Sequence, residues 1–184
     1  AKSIRYSGTA GDIAVITDAA GKLLLDKDTN IDHVITIDAP RSQDDNNFAP
    51  EYSVFELSPF VHTIKLEADM LVTQDIGWWW HHLYQHDIVF SHGCLDYTEK
   101  TVEDRIHRKL FLRNNLPNIY NGLSYFRFSK KANDFYSLCK QIHANWDKVK
   151  RDVLKNCTDE YGSTDVVYAL AAKFFDPLAK ETIR

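Results

Sequence analysis

Two carboxylates one residue apart, Glu67 and Asp69, close an apolar run in the stretch TIKLEADMLVTQDIGWWWHHL, Thr63 to Leu83. A charge at the end of a buried strand is costly unless something pairs with it. A hard divalent cation suits such acids: Mg²⁺ or Mn²⁺ takes oxygen ligands and is commonly held by one or two carboxylates plus substrate phosphates. The same residues also read as a solvated acidic turn, because acid-x-acid is short and common. Place favours the metal: the pair follows an apolar strand and precedes a second apolar step, Met70-Leu71-Val72. Glu67 and Asp69 are the candidate metal ligands.

Other residues divide between a structural and a chemical reading. Asp165 sits in the first turn of a predicted helix, either as a partner of the helix dipole or as an acid serving a reaction as general base or charge stabiliser. Asn121, beside Gly122, is a turn residue at a strand kink or a hydrogen-bonding amide. Trp79 and Trp80 fit a buried helical face, but Trp78 lies off it and is free to stack on a sugar or a base. His82 and His86 have a zinc-compatible spacing, without the Glu of an H-E-x-x-H motif. His92 ends a predicted strand. Arg105, His107, Arg108, Lys109 and Arg113 form a basic helical face, either solvated or suited to a diphosphate or to DNA.

The elements that must position these residues follow from periodicity. Strands are predicted at Asp12–Thr17, His33–Asp38, His62–Leu66, Asp87–His92 and Asn118–Ser129, the last kinked at Asn121-Gly122. Helices are predicted at Ala1–Tyr6, ended by Gly8, at Ala19–Asp26, at Glu51–Leu57 and from Asp75. The helix from Asp75 would bury Ile76, Trp79, Trp80 and Leu83. Further helices fall at Thr101–Arg113, after a Ser129 cap, and at Thr164–Phe175. The helix after Ser129 carries the stripe Phe135, Leu138, Cys139, Ile142 and Trp146. The last helix carries Val167, Leu170, Ala171 and Phe174. Ala39–Pro50 is polar and reads as a loop. Alternating strands and helices imply an α/β domain with a mostly parallel central sheet, where ligands bind at the carboxyl ends of the strands.

The bulk numbers fit one domain. The chain has 184 residues and a formal net charge of −4, with a pI of about 6.1. That balance gives no overall footprint for nucleic acid. Cys94, Cys139 and Cys157 have no metal spacing and read as reduced thiols of a cytosol-like compartment. No apolar run approaches the roughly 20 residues that span a bilayer.

On these residues the chain resembles the GT-A-fold nucleotide-diphospho-sugar glycosyltransferases, the group that includes glycogenin-like enzymes. SPFVHTIKLEADMLVTQDI is similar to the family's strand that delivers a D-x-D motif to the metal and the nucleotide diphosphate. NIYNGLSYFRFSKKANDFY is similar to its Asn-x-Gly strand beside the donor sugar. DEYGSTDVVYALA is similar to its acidic helix start facing the reaction centre. AKSIRYSGTAGDIAVITD is similar to the helix that runs into the second strand. In style the segments come nearest to phage- or prophage-encoded members.

The resemblance implies a GT-A-like, Rossmann-type domain over residues 1–184, with Asp69 as the stronger and Glu67 as the weaker metal ligand. It implies that Glu67, Asn121, Gly122 and Trp78 bind the donor, and that Asp165 and Asn121 serve catalysis. Two departures accompany it. The motif is E-x-D, and neither the family's first strand nor its late His-bearing motif is present, so the reading expects a chain truncated at both ends.

The expected function is metal-dependent transfer of a sugar from a nucleotide-diphosphate donor to an acceptor hydroxyl, with Mn²⁺ or Mg²⁺, in the cytoplasm. DNA bases are one acceptor class. The rival readings are a catalytically inactive binding or structural relative and a nucleotidyltransferase.

Overall fold

The structure is a computed structural model that describes residues 1–37, 49–93, 95, 98–100 and 106–175. Asp38, most of the Ala39–Pro50 loop, Cys94 and the helix start at Thr101–Arg105 lie outside the described residues.

The chain is mixed α/β, as the alternation predicts. Its N-terminal part holds α1 (Lys2–Tyr6), β1 (Ala14–Thr17), α2 (Ala19–Leu25) and β2 (His33–Thr36). Gly8, at φ +81°, ends α1 where a side chain would be strained. Asp18 caps α2 by accepting the Gly21 N–H at 2.7 Å. β1 and β2 pair in parallel, Ala14 opposite His33 through Thr17 opposite Thr36.

A 3₁₀ turn (Ala49–Ser53) leads into α3 (Val54–Leu57). There follow β3 (His62–Leu66), α4 (Trp79–Leu83), β4 (Ile88–His92), α5 (Ile106–Asn114) and β5 (Ile119–Arg127). α6 (Lys130–Ala144), α7 (Trp146–Asp152) and α8 (Thr164–Phe175) complete the described chain.

The second sheet corrects the expectation of a mostly parallel one. Its order is β3-β5-β4, and β5 runs antiparallel to both neighbours. The excursion through α5 returns the chain to the end of the sheet where β4 stopped: His92 faces Ile119, the first residue of β5. Strand–helix alternation specifies the elements but not which end of the sheet the chain re-enters. The sole parallel pairing among the described strands is β1 with β2.

The core lies between this sheet and α6 and α8, and it is aromatic. Tyr52, Phe55, Phe90, Phe126, Phe135, Tyr136 and Tyr168 are all buried. Phe55 stacks on Tyr136 at 5.4 Å, and Phe90 meets Tyr168 at 5.0 Å. Ser129 caps α6 through the Ala132 N–H, as predicted. The α6 stripe is buried at Phe135, Cys139 and Ile142, while Trp146 continues it into α7.

Three expectations are corrected here. α8 is buried on all sides from Val166 to Ala172, whereas Phe174 is exposed; a helix enclosed between sheet and α6 has no solvent face to keep polar. β1, whose β-branched run reads as a buried strand, is only partly buried, and neither it nor β2 joins the described core, because a two-stranded sheet covers little of its own surface. The helix expected from Asp75 starts at Trp79, because the Asp75 carboxylate accepts the Gly77 N–H and holds a turn. Ile76 is buried, while Trp79, Trp80 and Leu83 are half-buried. Cys139 and Cys157 are free thiols.

Candidate functional site: an acidic strand end against a bulged strand

β3 stops at Leu66, yet the next residue keeps one tie to the sheet. The Glu67 N–H donates to the Gly122 carbonyl at 3.2 Å. The Met70 N–H then donates to the Glu67 carbonyl at 3.2 Å, closing a β-turn over Ala68 and Asp69. Asp69 is exposed on that turn and Glu67 is half-buried. The predicted strand-end placement of both acids therefore holds, and the pair occupies a turn as well.

Opposite them β5 bulges. Phe90 faces Ser124, but the next residue of β4, Ser91, faces Tyr120, so Asn121 to Leu123 have no partners on β4. The Ser91 hydroxyl spans the gap, donating to the Tyr120 carbonyl at 2.7 Å with the Leu123 carbonyl at 3.1 Å. Bulges re-aim groups that a regular ladder would use up. Here the Asn121 N–H reaches Asp165 Oδ1 at 2.8 Å, and its carbonyl accepts from Lys65 Nζ at 3.3 Å. Its side-chain amide donates weakly to Glu51 Oε2 at 3.4 Å. Asn121 is 2% exposed, and its Oδ1 has no hydrogen-bond partner among the described residues. Gly122 suits this point: a Cβ there would lie 2.9 Å from the Tyr120 ring and 3.0 Å from the Met70 methyl, so those side chains would have to shift.

Charged groups surround the bulge. Lys65, two residues before Glu67 on the same face of β3, pairs with Glu51 at 2.9 Å and stands 4.0 Å from Glu67. Arg108 is buried. It donates to Asp165 Oδ2 at 2.5 Å, to the Ile119 carbonyl at 2.6 Å and to Asn118 Oδ1 at 3.1 Å. Its guanidinium also lies over the Phe111 and Tyr120 rings. Burial holds the Glu67 carboxyl above the ordinary value. Lys65 opposes that shift, while Glu51, Asp69 and Asp165 add to it.

The structure thus brings together Glu67, Asn121, Gly122 and Asp165, with Asp69 close enough to act on Glu67 electrostatically. Trp78 stands apart. It is 55% exposed and packs edge-on against Trp79 and His82; among the described ring contacts it meets none of the cluster. His82 and His86 do not share a helix, since α4 ends at Leu83. His92 is exposed at the end of β4. The basic face is corrected at its centre: Arg108 is an interior residue tied to Asp165, which leaves Lys109 and Arg113 exposed, while the Arg105 and His107 side chains lie outside the described residues.

Glu51 and Lys65 escaped the sequence reading. Lys65 had a signal, the two-residue spacing that puts it on the face of Glu67. Glu51 had none, since it arrives from the 3₁₀ turn far along the chain.

Among the described residues no three His, Cys, Asp or Glu side chains are arranged to hold a metal by themselves. The donor set fits a different mode. Two hard carboxylates on one turn suit an Mg²⁺- or Mn²⁺-like ion completed by phosphate and water. No protein-family model matches the sequence, and a search of curated proteins returns no match.

Proposed function

We propose that the chain is a GT-A-like, metal-dependent glycosyltransferase acting on a nucleotide-diphosphate sugar. The observation that carries this reading is the acid pair at the end of β3 facing a bulge whose Asn121 Oδ1 is buried and, among the described residues, unpartnered. A buried acceptor without a partner costs about 1–3 kcal/mol. The oxygen is closed to solvent in this conformation, so that cost is recovered only if the side chain turns toward a donor group, such as a sugar hydroxyl.

In this reading Asp69 and Glu67 hold the cation, which when bound neutralises charge on the leaving diphosphate. Asn121 orients the sugar through its free oxygen, and Gly122 keeps the approach open. Trp78, exposed and outside the cluster, would stack on a ring of the donor or the acceptor. Both oxygens of Asp165 accept hydrogen bonds, a state that suits fixing the Asn121 peptide and stabilising positive charge on the sugar better than removing a proton. The acceptor hydroxyl oxygen bonds to the anomeric carbon, the bond to the diphosphate oxygen breaks, and the hydroxyl proton passes to the departing diphosphate or to water. A DNA acceptor loses support, because Arg108 is withdrawn from the basic face.

The test is release of nucleoside diphosphate from a panel of nucleotide sugars with Mn²⁺. The expected result is release from at least one donor, abolished by a chelator and by Asp69→Asn. Neither release nor binding across the panel would favour a non-catalytic relative.

A further inference from the structure

We propose that Lys65 is an internal counter-ion of the site: its ammonium fills the space between Glu51 and Glu67 and keeps these acids from binding a divalent cation tightly on their own. The inference rests on the cation reading of Glu67 and Asp69 above.

The geometry is asymmetric in a useful way. Lys65 is 9% exposed and is anchored on one side, by Glu51 Oε2 at 2.9 Å and the Asn121 carbonyl at 3.3 Å. Toward Glu67 it stands at 4.0 Å, too far for a hydrogen bond but near enough to act through charge. Glu67 can therefore turn to another cation without breaking a bond to Lys65. An ammonium so placed repels any dication that Glu67 binds, and in a partly desolvated site that repulsion is weakly screened.

The arrangement also makes binding depend on company. An incoming phosphate brings negative charge that Lys65 can pair with, since its three donors sit on a flexible stem. The penalty on the dication then falls. The site would take up cation and diphosphate together in preference to the cation alone.

The probe is Mn²⁺ without any nucleotide, followed by the loss of its free-ion electron paramagnetic resonance signal. Lys65→Met is expected to bind Mn²⁺ at least ~10-fold more tightly than wild type, the scale set by removing one unit charge near 4 Å. Lys65→Arg, which keeps the charge, should match wild type. If Lys65→Met fails to fold because Glu51 is left unpaired, Lys65→Met/Glu51→Leu replaces the pair with apolar side chains, a change often tolerated. It should show a smaller gain in the same direction. Equal or weaker binding by folded Lys65→Met, or by the folded double variant where Lys65→Met does not fold, with wild type still binding, overturns the counter-ion role alone. No binding of Mn²⁺ alone by wild type and variants alike overturns this inference, and the cation reading falls with it if Mn²⁺ together with a nucleoside diphosphate is not bound either.

Discussion

The Asn121 peptide N–H donates to Asp165 Oδ1 at 2.8 Å, tying the bulge of β5 to the first turn of α8. The other oxygen of Asp165 is held by Arg108. A single carboxylate thus joins a strand, a helix start and a buried cation, and the shape of the bulge depends on it.

Removing the cation should unfasten that joint. Arg108→Met leaves Asp165 charged, 17% exposed and unpaired on one side, and breaking such a pair costs about 3–5 kcal/mol. The double variant Arg108→Met/Asp165→Leu should recover part of the loss. Urea denaturation of the two variants checks this. A loss under about 1 kcal/mol for Arg108→Met would place the pair with ordinary surface salt bridges.

Asn121 should separate stability from function. Among the described residues its one side-chain bond is long, 3.4 Å to Glu51, and its Oδ1 has no partner. Asn121→Ala is therefore expected to cost no more than about 1.5 kcal/mol, the upper range for a single neutral hydrogen bond. Donor binding should fall far more, by at least ~10-fold, about what one hydrogen bond to a ligand contributes. Thermal melts beside donor titrations measure both. A large stability loss with intact binding would make Asn121 a purely structural residue.

Asp165→Asn should keep donor affinity and slow sugar transfer at least about 100-fold, the lower end for groups that act on a transition state. The kcat and KM of a purified transfer reaction decide it. Near-normal kcat with a lower melting temperature would reduce Asp165 to a helix and bulge support.

A pH effect follows from Asp87, away from the site. Burial raises its carboxyl, but hydrogen bonds from Arg127 and Ser129 outweigh that and hold it below the ordinary 3.8. The folded state thus binds this proton less readily than the unfolded one. The pair's stability is present above pH 3.8 and is lost as pH falls through the lowered value. Asp87→Asn should melt below wild type at neutral pH, and the two should converge in acid. A gap that persists in acid would mean that the ion pair is not its source.

Much of the site's framework was legible in local pattern. The acids end a strand, Ser129 caps α6 and Gly8 ends α1, because caps and periodicity are set by neighbouring residues. The kink read at Asn121-Gly122 proved to be the bulge. What the pattern did not carry was long-range: the direction of β5, the arrival of Glu51 beside Lys65, and the burial of Arg108. Arg108 read as one cation in a basic run because helical spacing alone does not reveal a carboxylate on another helix. The tryptophans misled in a different way, since hydrophobic spacing suggested a helix from Asp75 where a short polar turn prevailed.

If Glu67 and Asp69 hold a cation shared with a nucleotide diphosphate sugar, donor binding depends on both the cation and Asp69. Calorimetry of wild type and Asp69→Asn with the sugar nucleotide that gives release, with and without Mn²⁺, tests it most directly. The expected result is wild-type binding that requires Mn²⁺, no detectable binding by Asp69→Asn, and a smaller loss for Glu67→Gln. Equal affinity of wild type and Asp69→Asn in Mn²⁺ would contradict it.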